Sequence, residues 1–455
     1  MGTNDIPGFF AAEEDLQREE HLFLTYQFET PFEPRLAAAT LCSEMSTAQW
    51  KRPGVTEDLR PRFGAKVVHL EMMGTVSSPW LAHATPHDQY YRCLVRIAYP
   101  HVNFGTSVAN MLSVVAGEGA FFCEAIKAIK LLDIEFPASY LQDFSGPKFG
   151  IEGLRKILGC HDRPIFFGVV KPNIGLSPEP FAELAYEAWS GGLDVAKDDE
   201  MLFDVPWSPL TERCRLASAM CRRAEDETGE KKLYVANINA DAAGLLNQHD
   251  LAVKNGAGAV LVNALAVGLP ALRMLVQHAT VPVFGHFAFI APITRVPYFG
   301  ISSVVITKLE RLVGCDIIGL PGFGPRMFTE EEEVLDTVDV CRSEFGNLKR
   351  SLPIPGGSDS AATLPSVYEK VRTLDFGFIA GRGIFGHPDG PRAGAMSLRQ
   401  AWEAIVRRIP LEEYALEHPA LEKALQVFSG SQGKKKALSM TPLHNFISAI
   451  HKVQS

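Results

Sequence analysis

Short apolar runs recur along the C-terminal two thirds of the chain, and their spacing constrains the fold more than any other feature. Eight such runs follow residue 164, separated by amphipathic stretches that are mostly 20–35 residues long. A stretch of that length holds one helix and two loops, so strands and helices alternate. Buried strands that alternate with helices form parallel sheets, and eight repeats predict a (β/α)8 TIM barrel, an α/β fold. The predicted strands are 165–170, 193–196, 233–238, 259–265, 281–286, 316–320, 352–354 and 376–380.

The first 150 residues do not show this alternation. Strand patterns at 22–28, 66–72 and 91–98 and helix patterns at 32–42 and 107–116 predict an α+β, ferredoxin-like domain. We expect one antiparallel sheet with helices on one face. The sequence therefore divides into an N-terminal domain, 1–150, and a barrel domain, 151–455, which ends in closing helices at 398–407 and 420–428.

Composition excludes several classes of protein. The formal net charge of -9 at pH 7 argues against nucleic acid as a partner. No apolar stretch approaches the ~20 residues that a membrane-spanning helix needs, so no membrane partner is expected. The 8 cysteines include no C-x-x-C pair, so neither a zinc site nor a disulfide framework is indicated. We expect a cytoplasmic protein with reduced thiols.

Charged side chains gather where the second predicted barrel strand ends, at Lys197, Asp198, Asp199 and Glu200. Packing these charges together is costly unless something binds them, and carboxylate oxygens suit Mg²⁺. Lys171 ends the neighbouring strand, and barrel active sites lie at the C-terminal ends of the strands. The pattern favours metal-assisted proton abstraction next to a carbonyl. A solvated loop is the alternative for the run, and a Schiff base is the alternative for Lys171.

His286 ends the fifth predicted strand. At that position a histidine can transfer protons or polarise a substrate. It can equally be a core histidine with both ring nitrogens satisfied, and the sequence leaves both interpretations open.

Glycines follow the last two predicted strands, at Gly357 and at Gly381-Arg382-Gly383. The second stretch matches G-x-G-x-x-G, but residues 386–391 are not expected to open a helix directly, and no first βαβ unit surrounds them. A dinucleotide site is therefore the weaker interpretation. Loops after strands seven and eight of such barrels commonly bind phosphate, so we predict a phosphate site to which Arg382 adds positive charge.

The segments around the two lysines, 167–177 and 191–200, resemble the large subunit of RuBisCO. Segments 44–50, 109–111 and 383–388 resemble further parts of that subunit, and the resemblance covers nearly the whole chain. It implies that Lys197 reacts with CO₂ to form a carbamate. The carbamate, Asp199 and Glu200 would then bind one Mg²⁺ per subunit.

The same resemblance implies roles for further residues. Lys171 would be the general base, and His286, Asn110 and Glu44 would line the substrate site. Glu44 and Asn110 would come from a second subunit, which implies a homodimer with the active site at the subunit interface. Gly357, Gly381 and Gly383 would hold one phosphate of a small phosphorylated substrate.

Several positions depart from the carboxylase pattern. Asn173 stands where the carboxylase has a second lysine, Phe287 where it has an arginine, Gly319 where it has a histidine and Pro355 where it has a serine. Segment 321–326 replaces the mobile loop that carries an essential lysine. In the family these parts grip the distal phosphate and handle CO₂. The resemblance thus implies a RuBisCO-like protein, form IV of the family, without CO₂-fixing activity. Segments 44–50, 146–155 and 355–361 resemble the group found in photosynthetic bacteria.

That group is linked in general to sulfur metabolism and oxidative stress. We expect Mg²⁺-dependent enolisation or isomerisation of a small phosphorylated ketose-like compound, with methylthio compounds among the candidates. One alternative is a non-catalytic stress-response or regulatory protein that keeps the fold. Another is a decarboxylase of a sugar-acid phosphate.

Overall fold

The computed structural model describes residues 3–49, 54, 56–81, 87–324 and 326–429. The chain divides into two compact units. The first unit comprises 1–145, 289–312 and 344–348, and the second comprises 146–288, 313–343 and 349–455 as far as these are described. The sequence division near residue 150 assigns the two internal segments, 289–312 and 344–348, to the barrel domain, whereas the first unit includes them.

The strands among the described residues are β1 (His21–Thr30), β2 (Lys66–Val76), β3 (Tyr90–Pro100), β4 (Ala128–Glu135), β5 (Ile165–Val169), β6 (Val195–Lys197), β7 (Leu233–Asn237), β8 (Ala259–Asn263), β9 (Val283–His286), β10 (Gly300–Ile301), β11 (Ile317–Pro321), β12 (Leu352–Gly356) and β13 (Gly377–Ala380).

The α-helices are α1 (Pro34–Met45), α2 (Arg60–Phe63), α3 (Val108–Val115), α4 (Glu118–Phe121), α5 (Ala138–Leu141), α6 (Gly150–Leu158), α7 (Pro178–Ser190), α8 (Leu210–Thr228), α9 (Ala242–Lys254), α10 (Ala264–Val267), α11 (Leu269–His278), α12 (Ala291–Thr294), α13 (Ser303–Val313), α14 (Glu331–Arg342), α15 (Leu364–Val371), α16 (Arg382–Phe385), α17 (Gly390–Arg407), α18 (Leu411–Ala415) and α19 (Pro419–Phe428). Short 3-10 helices lie at Thr3–Phe9, Glu13–Asp15, Arg18–Glu20 and His101–Asn103.

The first unit is built on a five-stranded sheet in the order β10-β4-β1-β3-β2. The three strands and two helices predicted for this region are confirmed, but β4 and β10 were missed. The antiparallel sheet expected for the first 150 residues is confirmed, and β10, at residues 300–301, joins it in parallel with β4. Lys130 breaks the apolar pattern of β4, and its buried ammonium donates to the carbonyls of Thr294 and Val296, at 2.7 and 2.8 Å.

The second unit is an eight-stranded parallel sheet in the order β12-β11-β9-β8-β7-β6-β5-β13. Its two end strands, β12 and β13, lie beside one another and close the barrel. Their approach is close, since a Cβ on Gly377 would lie 2.8 Å from Ile354 Cγ1. All eight predicted strands are confirmed, with ends within two residues of the predicted ones.

Apolar side chains fill the barrel, so it is a packed core and not a pore. Phe167, Val235, Leu261 and Phe284 belong to this buried cluster. Apolar side chains of α6 join the same cluster. This packing leaves the carboxyl ends of the strands as the place where polar side chains can converge.

The segment after β13 differs from expectation. Residues 386–391 were not expected to open a helix, yet α17 begins at Gly390, and Pro391 lies in its first turn. The missing N–H of a proline is not needed there, because first-turn N–H groups have no partner within the helix. The predicted closing helices are confirmed as parts of α17 and α19.

Two further features bear on the class of protein. None of the helices in the described part of the chain is long and apolar enough to cross a membrane. All eight cysteines are buried thiols. Burial raises the pKa of the Cys93 and Cys221 thiols to about 12.

Asp316 is a buried carboxylate that ties the start of the barrel together. Its oxygens accept the backbone N–H groups of Phe149, Gly150 and Val283, at 2.6, 2.9 and 3.0 Å.

We predict that Asp316→Asn lowers the free energy of unfolding by about 1.5–3 kcal/mol, because an amide nitrogen replaces one acceptor. Urea denaturation measures this change. Asp339→Asn, at an exposed carboxylate on α14, is the control and should change stability by less than about 1 kcal/mol.

Candidate active site

The charged run at the end of β6 is divided between two environments. Lys197 and Asp199 take alternate positions from Asp198, as side chains do along an extended strand. The Lys197 ammonium lies 3.5 Å from Glu200 Oε2, and Asp199 lies 2.6 Å from Lys171 Nζ. Asp198 is bonded instead to residues of α8 and β7. Three of the four residues therefore form the candidate site, and Asp198 supports it.

Asp198 is completely buried and its carboxylate is fully engaged. It accepts hydrogen bonds from Arg213 Nε at 3.1 Å, Tyr234 Oη at 2.7 Å and the N–H of Asn237 at 2.9 Å. Arg213 is equally buried, so the two charges compensate one another away from water. Sequence reasoning missed Arg213, although an arginine on the apolar face of α8, beside Leu210, Cys214 and Ala217, was a signal for a buried partner.

Lys171, at the end of β5, joins the carboxylate cluster. Its ammonium donates to Asp199 Oδ2 at 2.6 Å, and its side chain keeps about a third of its surface exposed. Asp199 is buried, and its other oxygen accepts the N–H of Met201. The structure thus brings together Lys171 and Asp199, which the sequence placed on adjacent strand ends.

Lys197 has an unusual environment for an ammonium group. Its Nζ is buried and donates to the carbonyl of Asp198 at 2.7 Å. Burial lowers the pKa of Lys197 below its ordinary value, although Glu200 and Asp199 act in the opposite direction. Burial raises the pKa of Glu200, but the nearby positive charges, Lys197 first among them, and a backbone hydrogen bond together outweigh this and lower that pKa to about 2.

His286 also contacts this cluster, with Nε2 3.5 Å from Glu200 Oε2. Its Nδ1 accepts the N–H of Ala288 at 3.1 Å, so the ring proton lies on Nε2, towards Glu200. Burial and the nearby Lys197 charge lower the pKa of His286 to about 3. The side chain is therefore a neutral hydrogen-bond donor at the site.

Two asparagines that the sequence analysis did not single out hold the backbone of the site. Asn237 donates to the carbonyl of Asp199, and Asn263 donates to the carbonyl of Glu200, each at 3.1 Å. They end β7 and β8, the two strands after β6. Their position at strand ends was the available signal, because a barrel places such side chains at the mouth.

The glycine loops after β12 and β13 lie against each other and against Lys171. A Cβ on Gly381 would lie 2.8 Å from Lys171 Cε, and one on Gly383 would lie 2.4 Å from the carbonyl of Asp359. Gly357 donates its N–H to Asp359 Oδ2 at 2.9 Å, so this group already has an internal acceptor. Burial raises the pKa of Asp359 to about 7, although the hydrogen bonds from Gly357 and Thr363 lower it. Arg382 is exposed.

Aromatic rings of β9 and of the residue after it lie against Gly319 of β11. The Phe287 ring stacks on His286, with ring centroids 4.5 Å apart. A Cβ on Gly319 would lie 3.1 Å from Phe284 and 3.4 Å from Phe287. These rings surround the position at which the sequence lacks the family histidine.

Glu44 and Asn110 belong to the first unit, and both side chains are exposed. Glu44 lies on α1 and Asn110 on α3. Both helices pack against the short helix α4. Their assignment to the site of a second subunit stays a prediction.

Comparison with known proteins identifies the family. Residues 10–140 match the N-terminal domain of the ribulose bisphosphate carboxylase large chain, and residues 150–428 match its catalytic domain. A ribulose bisphosphate carboxylase from Pyrococcus horikoshii, solved as an octamer with sulfate, has a TM-score of 0.84 at 32% identity and covers 94% of this chain and 97% of its own. The chain belongs to the ribulose bisphosphate carboxylase large-chain family.

Its curated relatives narrow this assignment. Ribulose bisphosphate carboxylase-like protein 2 of Rhodopseudomonas palustris is 54% identical over 94% of this chain and 100% of its own length. The ribulose bisphosphate carboxylase-like protein of Chlorobaculum tepidum is 54% identical over 93% of this chain and 97% of its own. These relatives identify this chain as a RuBisCO-like protein of form IV. A 3-oxo-isoapionate-4-phosphate decarboxylase of Rhizobium etli is 31% identical over 90% of this chain and 99% of its own.

We predict that Asp198→Asn lowers the free energy of unfolding by about 3–5 kcal/mol, because it leaves the Arg213 guanidinium buried without a counter-charge. Urea denaturation is the measurement. Glu212→Gln is the control. Glu212 lies on α8 beside Arg213, and its ion pair with Arg215 is exposed. A loss of similar size in both variants would contradict the assignment of Asp198 as the buried support of the site.

Proposed function

We propose that the protein enolises or isomerises a small phosphorylated ketose-like compound with the help of Mg²⁺, and that it does not fix CO₂. The observation that carries the proposal is the contact between Lys171 and Asp199, beside Lys197 and Glu200. A base next to a cation-binding cluster is the arrangement that proton abstraction beside a carbonyl requires.

The donor set fits Mg²⁺ if Lys197 changes its charge. Asp199 and Glu200 supply oxygen ligands, which Mg²⁺ prefers. In its ammonium form Lys197 competes with the cation, because its Nζ lies 3.5 Å from Glu200. A carbamate replaces this positive charge with a negative one and adds a third oxygen ligand. Lys197, Asp199 and Glu200 would then hold the ion.

The burial of Lys197 favours carbamate formation. Only a neutral amine attacks CO₂, and burial lowers the pKa of Lys197, which increases the neutral fraction at a given pH. The amine nitrogen forms a bond to the CO₂ carbon, and one amine proton leaves to solvent. The neutral amine and CO₂ thus give an anionic carbamate and one proton, so charge is balanced.

The remaining residues have separate roles in the proposed reaction. When bound, Mg²⁺ supplies positive charge that stabilises an enediolate oxygen. Lys171, once neutral, accepts the proton from the substrate carbon. His286 donates a hydrogen bond through Nε2 and does not act as a cation, because its pKa is about 3. Asn237 and Asn263 hold the backbone on which Asp199 and Glu200 are placed.

A substrate with one phosphate and one apolar end fits the site best. The loops with Gly381 and Gly383 lie beside Lys171 and supply the phosphate side. The partly exposed Phe287 ring lies beside Gly319, where a carboxylase holds its second phosphate. Aromatic surface favours an aliphatic or methylthio group over a second phosphate, which is consistent with a role in sulfur metabolism.

A homodimer with the site at the subunit interface is part of this proposal. The loop between β6 and α8 begins at the charged cluster and exposes Met201, Phe203 and Trp207. Exposed large apolar side chains next to a polar site are typical of a surface that another chain covers. Glu44 and Asn110 are exposed and so accessible to a second copy.

The metal centre is tested by calorimetry. We predict that Mg²⁺ binds only in the presence of bicarbonate, that Lys197→Ala abolishes this binding, and that ¹³C-bicarbonate gives a carbamate resonance which Lys197→Ala removes. The control is Lys231→Ala, at an exposed lysine near Glu225. Absence of Mg²⁺ binding under every condition would remove the metal mechanism and leave a metal-free enzyme or a non-catalytic stress-response or regulatory role.

The substrate class is tested by proton exchange in D₂O. We predict exchange with methylthio or aliphatic ketose monophosphates, and a rise in KM of about tenfold or more in Phe287→Ala, because an apolar contact is lost. Leu416→Ala, at an exposed apolar side chain, is the control and should leave KM unchanged. A bisphosphate that occupies both ends of the site in a crystal would contradict the single-phosphate proposal.

A decarboxylase of a sugar-acid phosphate is the second candidate. It is favoured by the relative named 3-oxo-isoapionate-4-phosphate decarboxylase, which aligns along nearly its whole length. Loss of CO₂ from a 3-oxo acid leaves an enolate, which is the class of intermediate that proton abstraction beside a carbonyl also forms. Release of CO₂ from such acids, without proton exchange in ketose phosphates, would select this candidate.

A further inference from the structure

A second polar cluster lies on the outer helices of the barrel. It consists of His249 and Asp250 on α9 and His278, the last residue of α11. In the part of the chain that the structure describes, it is the one group of three or more His, Cys, Asp or Glu whose ligand atoms all lie within 4.8 Å of one another. We propose that this cluster binds a transition-metal dication such as Zn²⁺.

The donor atoms converge on one point. Asp250 Oδ1 lies 2.9 Å from His249 Nδ1 and 2.6 Å from His278 Nε2. The two imidazole rings are nearly perpendicular, at 78°, so their nitrogens approach from different directions. Two imidazoles and one carboxylate are a ligand set that Zn²⁺ takes, with a fourth position for water. The spacing of the cysteines could not indicate this site, because the site contains no cysteine.

The cluster is both accessible and anchored. His249 is buried, whereas the Asp250 and His278 side chains are 60% and 38% exposed. An ion can therefore enter from solvent and keep a water ligand. Because two ligands lie on α9 and the third ends α11, a bound ion would link neighbouring helices of the outer ring.

One contact opposes binding. His249 Nε2 accepts the N–H of Thr280 at 3.4 Å. Ligation through Nδ1 moves the ring proton to Nε2, where it faces that N–H. The contact is long, so its loss costs little, but the opposed donors favour an exchangeable site over a closed structural one. The expected site is thus an accessible one that Zn²⁺ enters and leaves.

The position of the cluster separates it from the candidate active site. Thr280 precedes β9, so the cluster lies towards the N-terminal ends of the strands, whereas Lys171 and Lys197 lie at their C-terminal ends. In barrels, residues at the N-terminal end serve stability and not catalysis. The predicted effect of Zn²⁺ is therefore stabilisation of the fold, independent of the proposed reaction.

The test uses Zn²⁺ calorimetry and Co²⁺ absorption on the full chain. We expect one accessible site that gives tetrahedral Co²⁺ bands, with affinity lowered at least about tenfold in both Asp250→Asn and His278→Ala. Zn²⁺ should raise the Tm of the unmodified protein but not that of either variant. His69→Ala is the matched control, since His69 is an exposed histidine near Glu71, and it should bind normally.

Lys197→Ala distinguishes this site from the candidate active site. Co²⁺ bands that persist in Lys197→Ala and disappear in Asp250→Asn support the proposal. Bands that disappear in Lys197→Ala and persist in Asp250→Asn overturn it, as does the absence of any Zn²⁺ binding. Both Asp250 and His278 are partly exposed, so the variants should keep the fold, and circular dichroism checks this.

Discussion

The buried carboxylate of Asp198 holds the end of β6 in place, and the charged site depends on it. Arg213, Tyr234 and the backbone of Asn237 bind this carboxylate on the helix side of the barrel. Because side chains alternate along an extended segment, Lys197 and Asp199 then face the opposite way. A shift of one residue would exchange the two sets and bury Lys197 among the helices. One ion pair outside the site therefore determines which charges can meet within it.

Much of this architecture follows from local sequence patterns. The eight barrel strands were predictable because buried parallel strands are continuous apolar runs, and the helices between them have regular lengths. Lys171, Lys197, Asp199, Glu200 and His286 were predictable as a group because each follows such a run. A barrel brings the carboxyl ends of all its strands to one face, so order along the chain was enough to gather them.

Other features depend on contacts between distant residues, which local patterns do not encode. β4 escaped prediction because the charge of Lys130 interrupts its apolar pattern, and the carbonyls that satisfy it lie more than 160 residues away. The rings around Gly319 likewise arise from packing between strands. Residues that support a site are harder to find than those that form it, because their side chains resemble ordinary core or turn residues.

The eight buried cysteines carry a consequence for the oxidative-stress link of the group. Peroxides react with thiolates, and burial raises the pKa of thiols such as Cys123 and Cys160 to about 11. The folded chain thus offers oxidants few reactive thiols of its own. Under the proposed function, a connection to redox balance would run through the converted small molecule and not through these cysteines.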